Sequence, residues 1–429
     1  MDNSVSNLET IALHGGRVVG ADNPSLALPL SRTAAYAFRD TEHAANLFGL
    51  KELGYIYTRL HNPTQDALEQ RLTQLEGGAG SLALASGTSA IFYAIINIAT
   101  AGSEIVASSC LYGGTFTMFN DILPDYGITT RFVDPTDLDA VAANINEKTR
   151  AIYVESIGNP SLVVPDFAAL SQLAHQHGLP LIVDSTFTTP ALFRALDHGA
   201  DIVVNSLTKW IGGHGTGVGG AVTDSGRFDW KSERFPTMIR PESSYHDLRF
   251  AYDLGDLAPL AYILRMRVIP LRNLGAAISA DNAWMFLQGI ETLSLRMERH
   301  SSNALAVAKY LQSHPKVSWV RYPGLEDDPS HANASRYFNG AYGGMVVFGV
   351  KEGRQAGARF IDSLQLFSHV ANVGDAKSLA IHPASTTHAQ LNEEQQIAAG
   401  VMPEMVRLSV GIEHIDDILA DIERGLAAK

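Results

Sequence analysis

The sequence predicts an α/β protein built on a mostly parallel sheet. Three observations lead there. Six short apolar runs recur between residues 81 and 206, and each leads into a helical or glycine-rich pattern. The runs are apolar at successive positions instead of alternating with polar residues, so both faces of each strand need cover. The links between runs and helices are short, which fits strand–helix crossovers on both sides of one sheet.

Taken in order, residues 1–60 mix Gly, Pro, Ser and aromatics without a sustained period and end in GYIYTRLHNPT, the pattern of an extended arm. HNPTQDALEQRLTQLEGG then places Asn62 and Pro63 at a helix start, Ala67, Leu68, Leu72 and Leu75 at helical spacing, and a Gly pair at the stop. SLALAS precedes GTSAIFYAIINIA, EIVASS precedes GGTFTMFNDILPDYG, and TRFVD precedes TDLDAVAANINE. AIYVES leads to DFAALSQLAHQHG, LPLIVD to PALFRALDHG, and ADIVVNS to the glycine-rich stretch near residue 215. Residues 226–288 are less regular. A long helical pattern follows in ETLSLRMERHSSNALAVAKYLQ, and then VSWVRYPG, GGMVVFGV, ARFIDSLQLF and MVRLSVGIE read as strands mixed with helices. The expected division is an arm at 1–60, an α/β domain at 61–288 and a smaller α+β domain at 289–429.

Composition narrows the function. The 429 residues are 46% hydrophobic and 18% charged, a globular mixture. Acidic residues outnumber basic ones 45 to 32, for a net charge of −13, which argues against nucleic acid or an anionic membrane as partner. One cysteine, Cys110, excludes a disulfide framework and a multi-thiolate metal site, and the histidines show no ligand spacing, so no metal is expected. The start, MDNSVSNLETIALHGG, has no basic head followed by an apolar stretch, and the most apolar run, 90–100, contains Asn97 and falls short of the ~18 residues a bilayer span needs. A soluble protein of the reducing cytoplasm is the expectation.

In an open parallel sheet, ligands bind beyond the carboxyl ends of the strands. There the sequence delivers Ser86-Gly87-Thr88 at a helix start, Tyr112-Gly113-Gly114, Glu155 followed by Asn159, Asp184, and Ser206 with Thr208 and Lys209. A small-residue helix start is either an ordinary Ser cap or a phosphate cradle. Asp184 is a capping acid or a site acid, and a lone lysine is most often solvated. Together they are the parts that pyridoxal phosphate requires: an amine for a Schiff base, a carboxylate for the pyridinium nitrogen and donors for the phosphate. Two rival motifs are weak. Ser206-Leu-Thr-Lys209 matches the S-x-x-K of serine acyl-enzyme hydrolases, yet S-D-N and K-T-G are missing. Gly215 to Gly220 match G-x-G-x-x-G, but a short strand follows where a dinucleotide site needs a helix.

The chain resembles the Cys/Met-metabolism family of pyridoxal-phosphate enzymes over nearly its whole length, most closely its O-acetylhomoserine sulfhydrylase members. The resemblance rests on YTRLHNPTQDALEQRLTQLEGG, ALASGTSA, CLYGGTF, ESIGNP, VDSTF, NSLTKWIGGHGTGVGG, TLSLRMERHSSNA, LFSHVANVGDAKSLAIHPASTTHAQL and RLSVGIEHIDDI. It implies a type I, aspartate-aminotransferase-like fold. It implies Lys209 as Schiff-base lysine and proton shuttle, Asp184 on the ring nitrogen, and Tyr112 stacked on the ring and assisting proton transfer. Gly87, Thr88, Ser206 and Thr208 would hold the phosphate, with Tyr57 and Arg59 reaching it from a neighbouring subunit. Asn159 would lie near the cofactor oxygen. Arg407 would grip the substrate carboxylate, with Ser378 and Tyr57 near it.

The implied reaction is γ-replacement on O-acetylhomoserine by sulfide or methanethiol, giving homocysteine or methionine and acetate. The resemblance also implies a homo-oligomer with shared sites, a dimer at least and a tetramer of two pairs. Lys377 stands where cystathionine-forming relatives often carry Glu, which favours a small sulfur nucleophile. O-succinylhomoserine sulfhydrylase, cystathionine γ-synthase and methionine γ-lyase are the alternatives with the same cofactor. A Ser206 hydrolase and a scaffold that binds the cofactor without turnover are the alternatives of other classes.

Overall fold

A computed structural model describes residues 7–16, 25–386 and 400–428, together with 389, 392, 394 and 396. Seven strands form the larger sheet: β1 Gly80–Leu84, β2 Glu104–Ser108, β3 Thr129–Val133, β4 Thr149–Glu155, β5 Leu181–Asp184, β6 Ile202–Ser206 and β7 Gly220–Asp224. Their order is β1-β7-β6-β5-β4-β2-β3. The six apolar runs are all strands, and those from β6 to β3 are parallel. The AVTDSG segment supplies β7, which inserts antiparallel between β1 and β6.

The alternation within each strand fixes the two covering layers. Ile152, Val154, Leu181, Val183 and Val203 join one buried cluster, with Leu68, Leu72 and Leu75 of α1 (Pro63–Glu76) and Phe167 and Leu170 of α2 (Phe167–Gln176). Tyr153, Ile182, Ile202 and Val204 join the other, with Ile91 and Ile95 of the helix Gly87–Ile96. Each side chain taken fully from water contributes about 1.5–3 kcal/mol, which is why the central positions of β4, β5 and β6 are apolar on both faces. α1 begins as its sequence predicts: the Asn62 side chain accepts from the Thr64 amide, Pro63 follows, and Gly77 ends it in the left-handed region. The link from β5 to β6 holds only the short turns Thr189–Leu192 and Ala195–His198 in place of a full helix.

The second sheet has five strands: β8 Val317–Arg321, β9 Met345–Val350, β10 Ser368–His369, β11 Leu379–Ile381 and β12 Met405–Ser409, in the order β10-β11-β12-β9-β8. Val406 and Leu408 point into a core with Phe348, Phe360 and Ile422. Arg407, between them, points to the opposite face, whose neighbours Val347 and Met405 belong to the core of the first sheet. ARFIDSLQLF is mostly helical, lying in Arg354–Ser363. The long helical pattern forms Leu293–Ser313; a separate helix, Ala280–Glu291, precedes it across Thr292 and spans the expected boundary at 288. Among the described residues no helix is long and apolar enough to cross a membrane.

Candidate active site

Register brings the predicted groups to one edge of the larger sheet. Glu155 lies opposite Asp184 across β4–β5, and both Ser206 and Leu84 lie opposite Gly220. From Leu84 the chain passes to Ser86, whose hydroxyl caps the helix Gly87–Ile96 by accepting the Ser89 amide at 3.0 Å. Side chains are excluded where this helix start meets the sheet. A Cβ on Gly87 would lie 2.6 Å from the Ser206 Cβ, and one on Gly220 would lie 2.1 Å from the Ser86 carbonyl oxygen. Thr186 ties the neighbouring strand ends together, since its amide donates to Asp184 Oδ1 at 2.9 Å and its hydroxyl accepts the Ser206 amide at 2.8 Å.

Lys209 follows β6 in a turn whose Trp210 and Ile211 carbonyls are both held by the buried guanidinium of Arg296. Burial, with help from the positive charge of Arg407, lowers the Lys209 amine to about 8. The amine donates to Asn372 Oδ1 at 2.5 Å. Asp184 is buried, and burial raises its carboxyl against the hydrogen bonds of Thr186 and Tyr153. Tyr153 donates its hydroxyl to Asp184 Oδ2 at 3.3 Å.

Arg407 is 7% exposed, and burial lowers its guanidinium to about 10. It donates to Asn159 Oδ1 at 3.0 Å. Arg407, Asn159, Tyr112, Gly113, Gly114 and Thr88 share a cavity of about 790 Å³ with the apolar side chains of Phe92, Met118 and Ile122. Tyr112 stands at its mouth, 52% exposed.

Two expectations fare differently. Ser378 is corrected as a substrate contact: it is fully buried, its hydroxyl donates to Glu413 Oε2 at 2.8 Å and accepts the Gly411 amide at 2.8 Å. Asn372 holds the place beside Lys209 instead. Tyr57 and Arg59 are not brought to the Lys209 edge of their own chain. Both are exposed, with the Arg59 guanidinium 5.6 Å from the Tyr57 ring centre and Tyr57 bridged to Ala35. Of the motifs behind the resemblance, Thr387, His388, Gln390 and Leu391 lie outside the described residues, as do residues 1–6 and 17–24 of the arm.

Asn372 and Thr186 were not singled out from the sequence, and Glu155 was noted at its strand end without a role. A single Asn or Thr in a loop carries no sequence signal, whereas Glu155, ending an apolar strand, carried the same signal as Asp184.

These groups fit a pyridine ring that bears an aldehyde and a phosphate. The helix start offers the amides of Gly87 and Thr88 in a space a single Cβ would fill, and the Ser206 Oγ would lie 2.9 Å from that Cβ. Thr208 accepts the Gly219 amide at 3.1 Å, but its own bond to the Gly219 carbonyl is 3.3 Å long, a donor easily redirected. The lysine is half-buried with a depressed amine, and an acid stands on the adjacent strand.

Comparison with known proteins agrees. The profile of the Cys/Met metabolism PLP-dependent enzymes matches residues 9–427. An O-acetyl-L-homoserine sulfhydrylase of Leptospira meyeri is 54% identical, over 97% of this chain and 96% of that one. A homocysteine synthase of Schizosaccharomyces pombe is 51% identical over 98% of each. A solved Campylobacter jejuni chain, described as an O-acetylhomoserine (thiol)-lyase and carrying N'-pyridoxyl-lysine-5'-monophosphate, superposes with a TM-score of 0.95 at 40% identity, covering 99% of this chain and all of that one. With the fold, the half-buried lysine and the full-length match in hand, the chain belongs to the Cys/Met metabolism PLP-dependent enzyme family, and its fold is the α/β type I PLP-transferase fold.

Proposed function

We propose that this protein replaces the acetate of O-acetylhomoserine with sulfide or methanethiol, releasing homocysteine or methionine. The observation that carries the reading is a half-buried lysine just after the end of β6, bonded to Asn372, whose amine is lowered to about 8 by its surroundings and by Arg407, the arginine of the cavity at that edge. An amino-acid carboxylate and a base that acts near neutral pH are then served from one place. Relatives named as O-acetylhomoserine sulfhydrylases and homocysteine synthases support the substrate.

Pyridoxal phosphate, when bound, supplies an aldehyde for the amine of Lys209 and a ring that withdraws electrons. Arg407 binds the α-carboxylate through two parallel N–H donors and is itself oriented by Asn159. The amine of Lys209, held near neutral pH as a base, would take the substrate's Cα proton and then a Cβ proton. Acetate leaves Cγ, sulfide adds there, and Lys209 returns the protons. With the cofactor bound, Asp184 would keep the ring nitrogen protonated, and Tyr112, at the mouth of the cavity, would cover the ring and assist proton transfer. Gly87, Thr88, Ser206 and Thr208 would hold the phosphate, joined by the partner subunit's Tyr57 and the partner subunit's Arg59. Residues 61–288 then form the cofactor domain, 289–429 the domain that carries Arg407, and 1–60 an arm to a neighbouring copy. The assembly is a dimer of shared sites at least, with a tetramer of two pairs as the complete form, and the setting is the cytoplasm.

The test is homocysteine release from O-acetyl- and O-succinylhomoserine with sulfide, alongside ketobutyrate release from methionine. Preference for the acetyl ester is expected. Preference for the succinyl ester, or faster methionine cleavage, overturns the substrate assignment.

A further inference from the structure

Glu155 ends β4, is 7% exposed, and has no cationic partner among the described residues. Its carboxyl lies beside that of Asp184, and both burial and that neighbour push it well above the usual carboxylate range. A buried acid next to another acid is costly, so its retention calls for a use. What it touches supplies one. Oε1 accepts the Tyr112 amide at 2.7 Å, and Oε2 accepts the Asn159 amide at 3.2 Å. Tyr112 is the ring at the mouth of the cavity, and Asn159 is the residue that orients Arg407. One carboxyl therefore spans the two arms between which an amino acid must lie.

We propose that Glu155 is a positioning residue that sets the Tyr112 ring and the Asn159–Arg407 pair at a fixed separation, and so sets the tilt of the amino-acid substrate. The proposal rests on the function assigned above. The residue type follows from the donors it meets. Two converging amides need an acceptor at each end; a carboxyl offers lone pairs on both oxygens even when one carries a proton, and a glutamine does not, because its NH₂ would face an N–H. Aspartate, one methylene shorter, reaches one amide and leaves the other unmet. Glu155 touches no reacting atom; it acts through its two neighbours.

The experiment compares Glu155→Gln and Glu155→Asp with wild type as holoenzymes. It reads steady-state constants for each substrate and amide hydrogen exchange by mass spectrometry. The expected result is a KM for O-acetylhomoserine raised roughly tenfold or more, because a misplacement of about 1 Å costs that much or more. The KM for sulfide and the bound-cofactor absorbance stay as in wild type. Exchange quickens only in the segments that hold Tyr112 and Asn159. Unchanged KM with unchanged exchange overturns the proposal, as does exchange quickened throughout β4 and β5, the mark of a merely structural residue. If Glu155→Gln does not fold, Glu155→Asp decides by the same readouts. Exchange does not depend on turnover, so it judges Glu155 even if wild type proves inactive on O-acetylhomoserine, a result that would remove the assigned function instead.

Discussion

Arg407 reaches Asn159 across 248 residues of sequence, Nη1 to Oδ1 at 3.0 Å. The bond joins a strand of the second sheet to the loop after β4 of the first, so the proposed substrate grip requires both sheets to have formed and packed. It also orients the guanidinium while leaving its other donors for a carboxylate.

Replacing Arg407 with lysine keeps the charge and loses the planar fork. The expected outcome is a fall in kcat/KM for O-acetylhomoserine of roughly 10- to 150-fold, the equivalent of about 1.5–3 kcal/mol for a lost charged hydrogen bond. Most of it should appear in KM, since the carboxylate is bound alike before and during reaction. Steady-state kinetics at saturating sulfide check this.

The extent to which this was legible in the sequence differs by element. β5 and β6 announced themselves because Leu181, Ile182, Val183, Ile202, Val203 and Val204 are wholly buried, and burial on both faces leaves an unbroken apolar run. The place of β7 between β1 and β6 was not legible, because one of its two partners, β1, lies more than a hundred residues back along the chain. The crossover after β5 read as helical from its apolar spacing, but left-handed Gly199 and extended Phe193 break it into turns. Asp184 and Lys209 were visible from strand ends together with the family motifs. Ser378 misled for a physical reason: nothing local says that Glu413, 35 residues on, takes both its amide and its hydroxyl.

Lys209 should cost stability when no cofactor is bound. Its folded pKa is about 8 against an ordinary 10.5, so between those values the unfolded chain holds a proton that the folded chain lacks. Stability therefore rises with pH across that window, and the penalty is fully present below about 8. Lys209→Met should stabilise the cofactor-free protein at pH 7 by about 1–3 kcal/mol, after allowing for the partner lost to Asn372. The gain should shrink as pH approaches 10. Urea midpoints at pH 7 and pH 10 test it, and a gain that grows with pH would contradict the burial of this amine. The same variant should lack the near-violet absorbance of the bound cofactor.

Gly87→Ala sets two effects against each other. Alanine is the better helix former by about 1 kcal/mol. Here its Cβ meets Ser206 at 2.6 Å, in the space assigned to the phosphate. The contact decides the sign. Cofactor affinity should fall at least roughly tenfold while the far-ultraviolet circular dichroism stays unchanged, as 1.4 kcal/mol of lost interaction would require. Equilibrium dialysis of pyridoxal phosphate against both proteins reads the difference directly.

Arg59 and Lys209 should complement each other across copies. Arg59 is exposed on an arm whose Leu26, Leu53 and Tyr57 are exposed as well, which is odd for a chain complete by itself. If the arm serves a neighbour's phosphate, each site pairs one copy's Lys209 with the other copy's Arg59. Lys209→Ala and Arg59→Ala alone should then each be nearly inactive. After dissociation and reassembly of an equal mixture, about half the dimers are mixed, and each mixed dimer holds one doubly altered site and one intact site. Activity should return to roughly one quarter of wild type by that symmetry argument. Were Arg59 to serve its own chain, every site in the mixture would still carry one lesion, and no activity would return. The two outcomes differ by far more than assay error, so the mixture separates a shared site from a self-contained one without any knowledge of the assembly's geometry.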